Sequence, residues 1–241
     1  MKIQFLKNMA LALCLTLAGS VAALADDKSE QAKASEESAK AAESFREIMG
    51  APDKAIPREV LDAAECVAVF PNSKKGAFIV GVQKGKGVVS CRTGAGWSAP
   101  AFLDMEGGSF GPQIGGQATD YVLLFMNDKG AQRLMSSKFE IGGEASAAAG
   151  PVGRTASAST DWKLNAEILS YSRSKGAFIG AALKGVKIST DDSKMRAVYG
   201  TDVTPQGVLR DSKFTASGDV RALPNALGQY SAAQATTEKK Q

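Results

Sequence analysis

The chain has 241 residues, with 29 basic and 25 acidic side chains, three cysteines and no histidine. A formal charge of +4 over that length is too weak for an electrostatic grip on nucleic acid. Without histidine, the common zinc sites, the Ser-His-Asp and Cys-His arrangements and the HExxH protease motif are absent, and with them most familiar hydrolase chemistry.

Lys2 and Lys7 precede a charge-free apolar run from Met9 to Ala23 and the small-residue site Ala23-Leu24-Ala25. This is the pattern of a secretory signal peptide, residues 1–25, cleaved after Ala25, and it predicts a periplasmic or secreted protein. Cys14 lies within the apolar run behind Leu13, which makes a lipid anchor the weaker reading. Cleavage removes two of the 29 basic residues and no acidic one, leaving a net charge of +2 on 216 residues. The two remaining cysteines, Cys66 and Cys91, are candidates for a disulfide in a compartment that permits one. The other reading is two small buried side chains that never meet.

Residues 26–49 are rich in Ala, Glu, Lys and Ser and read as a solvated helix. Its apolar residues gather at the end, where Ala41, Phe45, Ile48 and Met49 share one face, and Gly50-Ala-Pro52 stops it. A short helix begins at Ile56-Pro57 with Val60, Leu61 and Ala64 as its buried stripe, and leads into the strand Cys66–Phe70. From there to about Ser189, short apolar runs alternate with Gly, Ser, Asn and Asp, which is the punctuation of a sheet. The predicted strands are Ala77–Gln83, Gly87–Arg92, Ser109–Gly116, Tyr121–Phe125, Phe139–Ala148, Arg154–Thr160 and Ala177–Leu183. Helices are predicted over Asn127–Ser136 and Asp191–Tyr199. Beyond Pro205 the chain is polar, but Val208, Leu209, Leu223, Leu227 and Tyr230 suggest that part of this tail packs back. The fold class is α+β: a mostly antiparallel sheet, sandwich or barrel-like, with a few flanking helices and one at the N-terminus.

An internal echo joins Lys75-Gly-Ala-Phe-Ile79, followed by Lys84-Gly85, to Lys175-Gly-Ala-Phe-Ile179, followed by Lys184-Gly185. It reads as two equivalent strand-turn-strand units with turns at the Lys-Gly pairs, where glycine supplies the unusual backbone angles. Lys84 and Lys86 then mark one tip, and Lys184 and Lys187 the other. Seven strand residues place these tips roughly 20 Å from Lys74, Lys75, Arg173 and Lys175.

In order along the chain stand Ile56-Pro57, Cys66-Val-Ala-Val-Phe-Pro71, Lys75-Gly-Ala-Phe-Ile-Val-Gly81, Gly85-Lys-Gly87 and Gly96-Trp-Ser-Ala-Pro100. They are followed by Gly107-Gly-Ser-Phe-Gly111, Gln113-Ile-Gly115, Gly150-Pro-Val-Gly-Arg154, Tyr171-Ser-Arg-Ser-Lys-Gly176 and Tyr199-Gly200. This series resembles the SYLF domain over residues 50–201, with residues 26–49 and the tail 202–241 outside the match. The resemblance implies a module without catalysis or cofactor that binds acidic phospholipids, with actin filaments an added partner of some eukaryotic members. For a secreted bacterial protein the expected partner becomes anionic phospholipid or a membrane surface in the envelope, with an envelope protein as the alternative. The candidate lipid-binding residues are Lys74, Lys75, Lys84, Lys86, Arg173, Lys175, Lys184 and Lys187. The helix end Phe45, Ile48 and Met49 is a candidate membrane-active face, although its weak apolar stripe favours docking on the domain.

Two further residues read as structural. Arg154, after the restricted Gly150-Pro-Val-Gly153, is placed to pair with Asp120 or Asp161, and Trp97 reads as core. Asp104, Glu106, Asp120, Glu140 and Glu144 show no spacing that singles out an acid and a base. No metal-ligand set appears.

Overall fold

The computed structural model describes residues 27–51, 55–77, 80–110, 115–152, 166–174, 177–180 and 183–231. The leader 1–25, Arg154, Lys175 and the strand predicted at Arg154–Thr160 lie outside the described residues, as does the side chain of Lys75. Helix α1 covers residues 27–49. Its stripe is buried as the spacing requires: Ala34, Ala41, Ala42, Phe45 and Ile48 are fully enclosed, and Met49 packs against them. Helix α2 (Arg58–Ala63) buries Val60 and Leu61.

Among the described residues ten strands form one sheet: β1 (Cys66–Ala77), β2 (Val80–Thr93), β3 (Gly96–Trp97), β4 (Ala101–Phe110), β5 (Gly115–Phe125), β6 (Lys138–Ile141), β7 (Ala147–Ala149), β8 (Ile168–Ser174), β9 (Ala177–Gly180) and β10 (Val186–Thr190). The order is β6-β10-β4-β2-β1-β5-β8-β7, with β3 appended to β2 and β9 to β8; among the described residues β7–β8 is the one parallel strand pair. The two outer strands meet through a tight turn. Gly142 N–H donates to Ala145 O at 2.7 Å, and Ile141 bridges Ala145, so the sheet nearly closes into a barrel. The Phe125 and Phe139 rings, 6.2 Å apart, meet edge to face although their strands are far apart in that order.

Helix α3 (Asp128–Arg133) is capped by Asn127, which accepts from Gly130 N–H, and α4 (Asp192–Tyr199) by Asp191, which accepts from Lys194 N–H. The tail does pack back. Helix α5 (Pro205–Leu209), a 3₁₀ turn (Gly218–Arg221) and α6 (Ala222–Tyr230) bury Val208, Leu209, Leu223 and Leu227, and α5 and α6 lie against β2. Tyr230 meets Phe45 of α1 edge to face, with centroids 5.8 Å apart.

Cys66 and Cys91 are joined by a disulfide between directly opposed positions of β1 and β2. Arg92 N–H donates to Glu65 O one step along the ladder, so the cysteines occupy the narrower, non-hydrogen-bonded kind of pair.

Several sequence expectations are corrected. The predicted strands Ala77–Gln83 and Gly87–Arg92 are a single strand that runs straight through Lys84-Gly85. There is no turn there because β2 has partners on both sides, β1 and β4, to satisfy its ladder. The glycines serve close approach instead. A Cβ on Gly85 would collide with Ser73 Oγ, and one on Gly87 with the Phe70 ring. β1 and β2 stay paired out to Ala77 and Gly81, well past Lys84-Gly85. The two echoed words are therefore not equivalent: 75–77 end β1, whereas 177–180 form β9. The predicted Phe139–Ala148 strand is broken by a turn at 142–144 into β6 and β7. Strands β8, β10 and most of β4 were not anticipated.

Candidate functional site

Beyond the apolar half of β2, the outer face of the sheet turns polar and α1 stands off it, leaving a cleft of about 760 Å³. One wall is the α1 face bearing Lys33, Glu36, Glu37 and Lys40; the floor is Lys74, Lys84, Lys86, Asp104, Glu106 and Ser189. Strand register explains why these side chains gather. Lys74 of β1 opposes Lys84 of β2, Lys84 opposes Glu106 of β4, and Glu106 opposes Lys187 of β10, which in turn opposes Glu140 of β6. A single row of charge thus crosses five strands. The next row sets Lys86 against Asp104 and Asp104 against Ser189.

The row alternates in sign except at its β1 end. Lys84 Nζ lies 3.0 Å from Glu106 and Lys86 Nζ 2.6 Å from Asp104. No ion pair reaches Lys74 among the described residues, although Lys84 is its direct cross-strand neighbour. Like charges so opposed destabilise a sheet. The expected separation of roughly 20 Å between Lys74 and the Lys84 position is thereby overturned, because opposed residues of antiparallel strands lie only about 5 Å apart at Cα.

At the inner end the cleft meets a buried ionic chain. Lys86 reaches Asp191 at 2.9 Å, Asp191 accepts from Lys194 Nζ at 2.6 Å, and Lys194 lies 2.9 Å from Glu37 of α1. Burial alone would raise Asp191, but hydrogen bonds from Lys194 and Lys86 hold its carboxyl down at about 2. Burial would likewise lower Lys86, yet its bonds to Asp104 and Asp191 hold the ammonium above its ordinary value. Burial pushes Glu37 up to about 7 against the attraction of Lys194.

The remaining sequence candidates are dispersed. Lys184 is exposed just before β10, beside Gly142. Arg173 in β8 pairs with Glu47 of α1 and lies 3.7 Å from Asp120, so it ties the helix down rather than facing the cleft. Asp120, suggested as an Arg154 partner, also accepts Asn72 N–H at 2.8 Å. Phe45 and Ile48 are enclosed against the domain, the docked arrangement that the weak apolar stripe favours. Trp97 is internal: its Nε1–H donates to Ser231 Oγ at 2.9 Å, and the Arg92 guanidinium lies 4.6 Å from its ring centroid. Sequence reasoning missed Lys33, Glu37, Lys40, Asp104, Asp191 and Lys194. Glu37 and Ser38 break into the apolar stripe of α1, and that interruption was the readable signal.

The sequence model of the family described as "Ysc84: Las17-binding protein actin regulator" matches residues 106–230, from the Glu106 position of the charge row to the end of α6. The chain belongs to the Ysc84/SYLF family. Among its relatives, Protein YSC84 of Saccharomyces cerevisiae is 34% identical over 207 residues, covering 83% of this chain and 41% of the yeast protein. LAS seventeen-binding protein 3 of the same organism is 33% identical over 183 residues, 74% of this chain and 38% of its own length. SH3 domain-containing YSC84-like protein 1 of Rattus norvegicus is 31% identical over 216 residues, 88% of this chain and 60% of that protein. The chain thus spans between about two fifths and three fifths of the length of these Ysc84/SYLF relatives. The names are those of binding and regulator proteins, not of enzymes.

Proposed function

We propose that the protein is a non-catalytic binding module of the bacterial envelope whose cleft beneath α1 takes the phosphate of an anionic phospholipid. The observation that carries this reading is the opposed Lys74–Lys84 pair. A phosphate between the two ammonium groups turns a cross-strand repulsion into two charge-assisted hydrogen bonds. Lys33 and Lys40 face the floor from α1, and each lysine near an anionic surface contributes about 1 kcal/mol. The secretory leader supplies the compartment, and the SYLF resemblance supplies the ligand class.

A second reading, an acidic segment of an envelope protein held by the same lysines, draws on the relatives' names, which speak of binding Las17. The test is co-sedimentation of residues 26–241 with vesicles of phosphatidylcholine alone or mixed with phosphatidylglycerol, at low and high salt. Binding to the anionic vesicles alone, weakened by salt, is expected. No binding under any condition sinks the lipid reading in favour of the protein partner.

A further inference from the structure

Helix α1 carries one carboxylate inside its buried stripe. Glu37 is only 8% exposed; its Oε2 reaches Lys194, while its Oε1 is buried without a hydrogen-bond partner. Lys194 is also shared with Asp191. The groups facing Glu37 are Lys194 of α4 and Asp191 at that helix's cap, and behind them Lys86 of β2 and Asp104 of β4. On α1 itself, Lys33 and Lys40 lie one turn away and are answered by Glu30 and Glu36. The chain Glu37–Lys194–Asp191–Lys86–Asp104 thus sets three carboxyls against two ammonium groups. It balances when one carboxyl holds a proton: Asp191, equally enclosed, is answered by both Lys86 and Lys194, whereas Glu37 has one buried oxygen unanswered.

From this geometry we infer that Glu37 makes the docking of α1 proton-dependent: the helix lies against the sheet while Glu37 is neutral, and its first turns loosen, opening one wall of the cleft, when Glu37 ionises. The far end stays anchored by Phe45, Ile48 and the Tyr230 contact, so the motion belongs to the part before Ala41. Burial raises the docked Glu37 to about 7, whereas a released helix returns it to its ordinary 4.5. The docked form therefore holds the proton more tightly. Its stabilisation is fully present below pH 4.5 and is lost as the pH rises through about 7. Asp191 runs the opposite way: its contribution is present above 3.8 and lost only as the pH falls through about 2, outside this window.

The inference stands on helix docking alone. It deepens the lipid reading because Lys33 and Lys40 line the wall that would move, and because protonation removes one negative charge from the cleft. The experiment is hydrogen exchange of the chain from residue 26 at about pH 5.5 and about pH 8, corrected for intrinsic rates. Opening of residues 31–40 should rise roughly 30-fold at the higher pH with a midpoint near 7, while residues 42–48 hold. Glu37→Gln should hold at both. Equal wild-type protection at the two pH values, a midpoint near 4.5, or the same loss in Glu37→Gln overturns the inference. In a parallel arm with phosphatidylglycerol vesicles, pH-dependent binding that Glu37→Gln flattens ties the latch to the lipid site. The exchange change without vesicle binding at either pH supports the latch and sinks the lipid reading.

Discussion

From Val88 to Cys91, strand β2 is buried on both faces, whereas from Val82 to Lys86 the same strand carries an exposed valine and two lysines at the floor of a cleft. The dry half is closed by apolar packing, by the disulfide and by paired hydroxyls; Ser90 Oγ, for instance, donates to Ser98 O at 3.0 Å. The wet half keeps an opposed lysine pair and, at its inner edge, a carboxyl with an unanswered oxygen. One half is arranged for stability and the other retains unresolved charge, so stability and binding should separate cleanly under mutation.

The largest expected loss lies where α1 packs against α6. Phe45→Ala removes a fully enclosed ring and should cost about 3–5 kcal/mol of helix docking, read as lost exchange protection over residues 41–48. Replacing both cysteines by alanine frees a closed loop with a sequence separation of 25 and should lower urea stability by about 3 kcal/mol. Gly87→Ala drives a methyl into the Phe70 ring. It should cost roughly 1–3 kcal/mol in the same assay, whereas a strand-end turn at this position would tolerate the change. In the wet half, Lys84→Gln breaks only an exposed pair with Glu106 and should change stability by less than about 1 kcal/mol. Its effect belongs in binding. A large stability loss there would erase the contrast between the halves.

Much of the architecture was legible because local chemistry announces it. Asn127 and Asp191 cap the helices that their positions suggested, Phe45 and Ile48 marked the face of α1 that packs, and of the two readings of Cys66 and Cys91 the disulfide is the one the structure holds. Lys84-Gly85 misled because its glycine answers to Ser73 across the strand, a tertiary demand that looks like turn chemistry when read locally. Strand β10 (Val186–Thr190) is short, and its alternation is carried by Val186 and Ile188 alone, so its signal was slight. The cleft was half legible. Its lysines stood out by type, but their grouping depends on register, which set Lys74 opposite Lys84 and drew Lys187 into line with Glu106 and Glu140. The ionic chain to Glu37 joins three parts of the chain more than 100 residues apart at the extremes, and no local pattern encodes that meeting.

The most direct test of the binding half of β2 compares Lys74→Gln/Lys84→Gln with Lys184→Gln, a lysine exposed away from the cleft floor, in anionic-vesicle binding at low salt. The account predicts that the double variant loses about 2 kcal/mol, roughly 30-fold in affinity, while keeping wild-type urea stability, and that Lys184→Gln binds nearly as the wild type. Equal losses from both variants would reduce the interaction to undirected surface charge and contradict the cleft as the binding site.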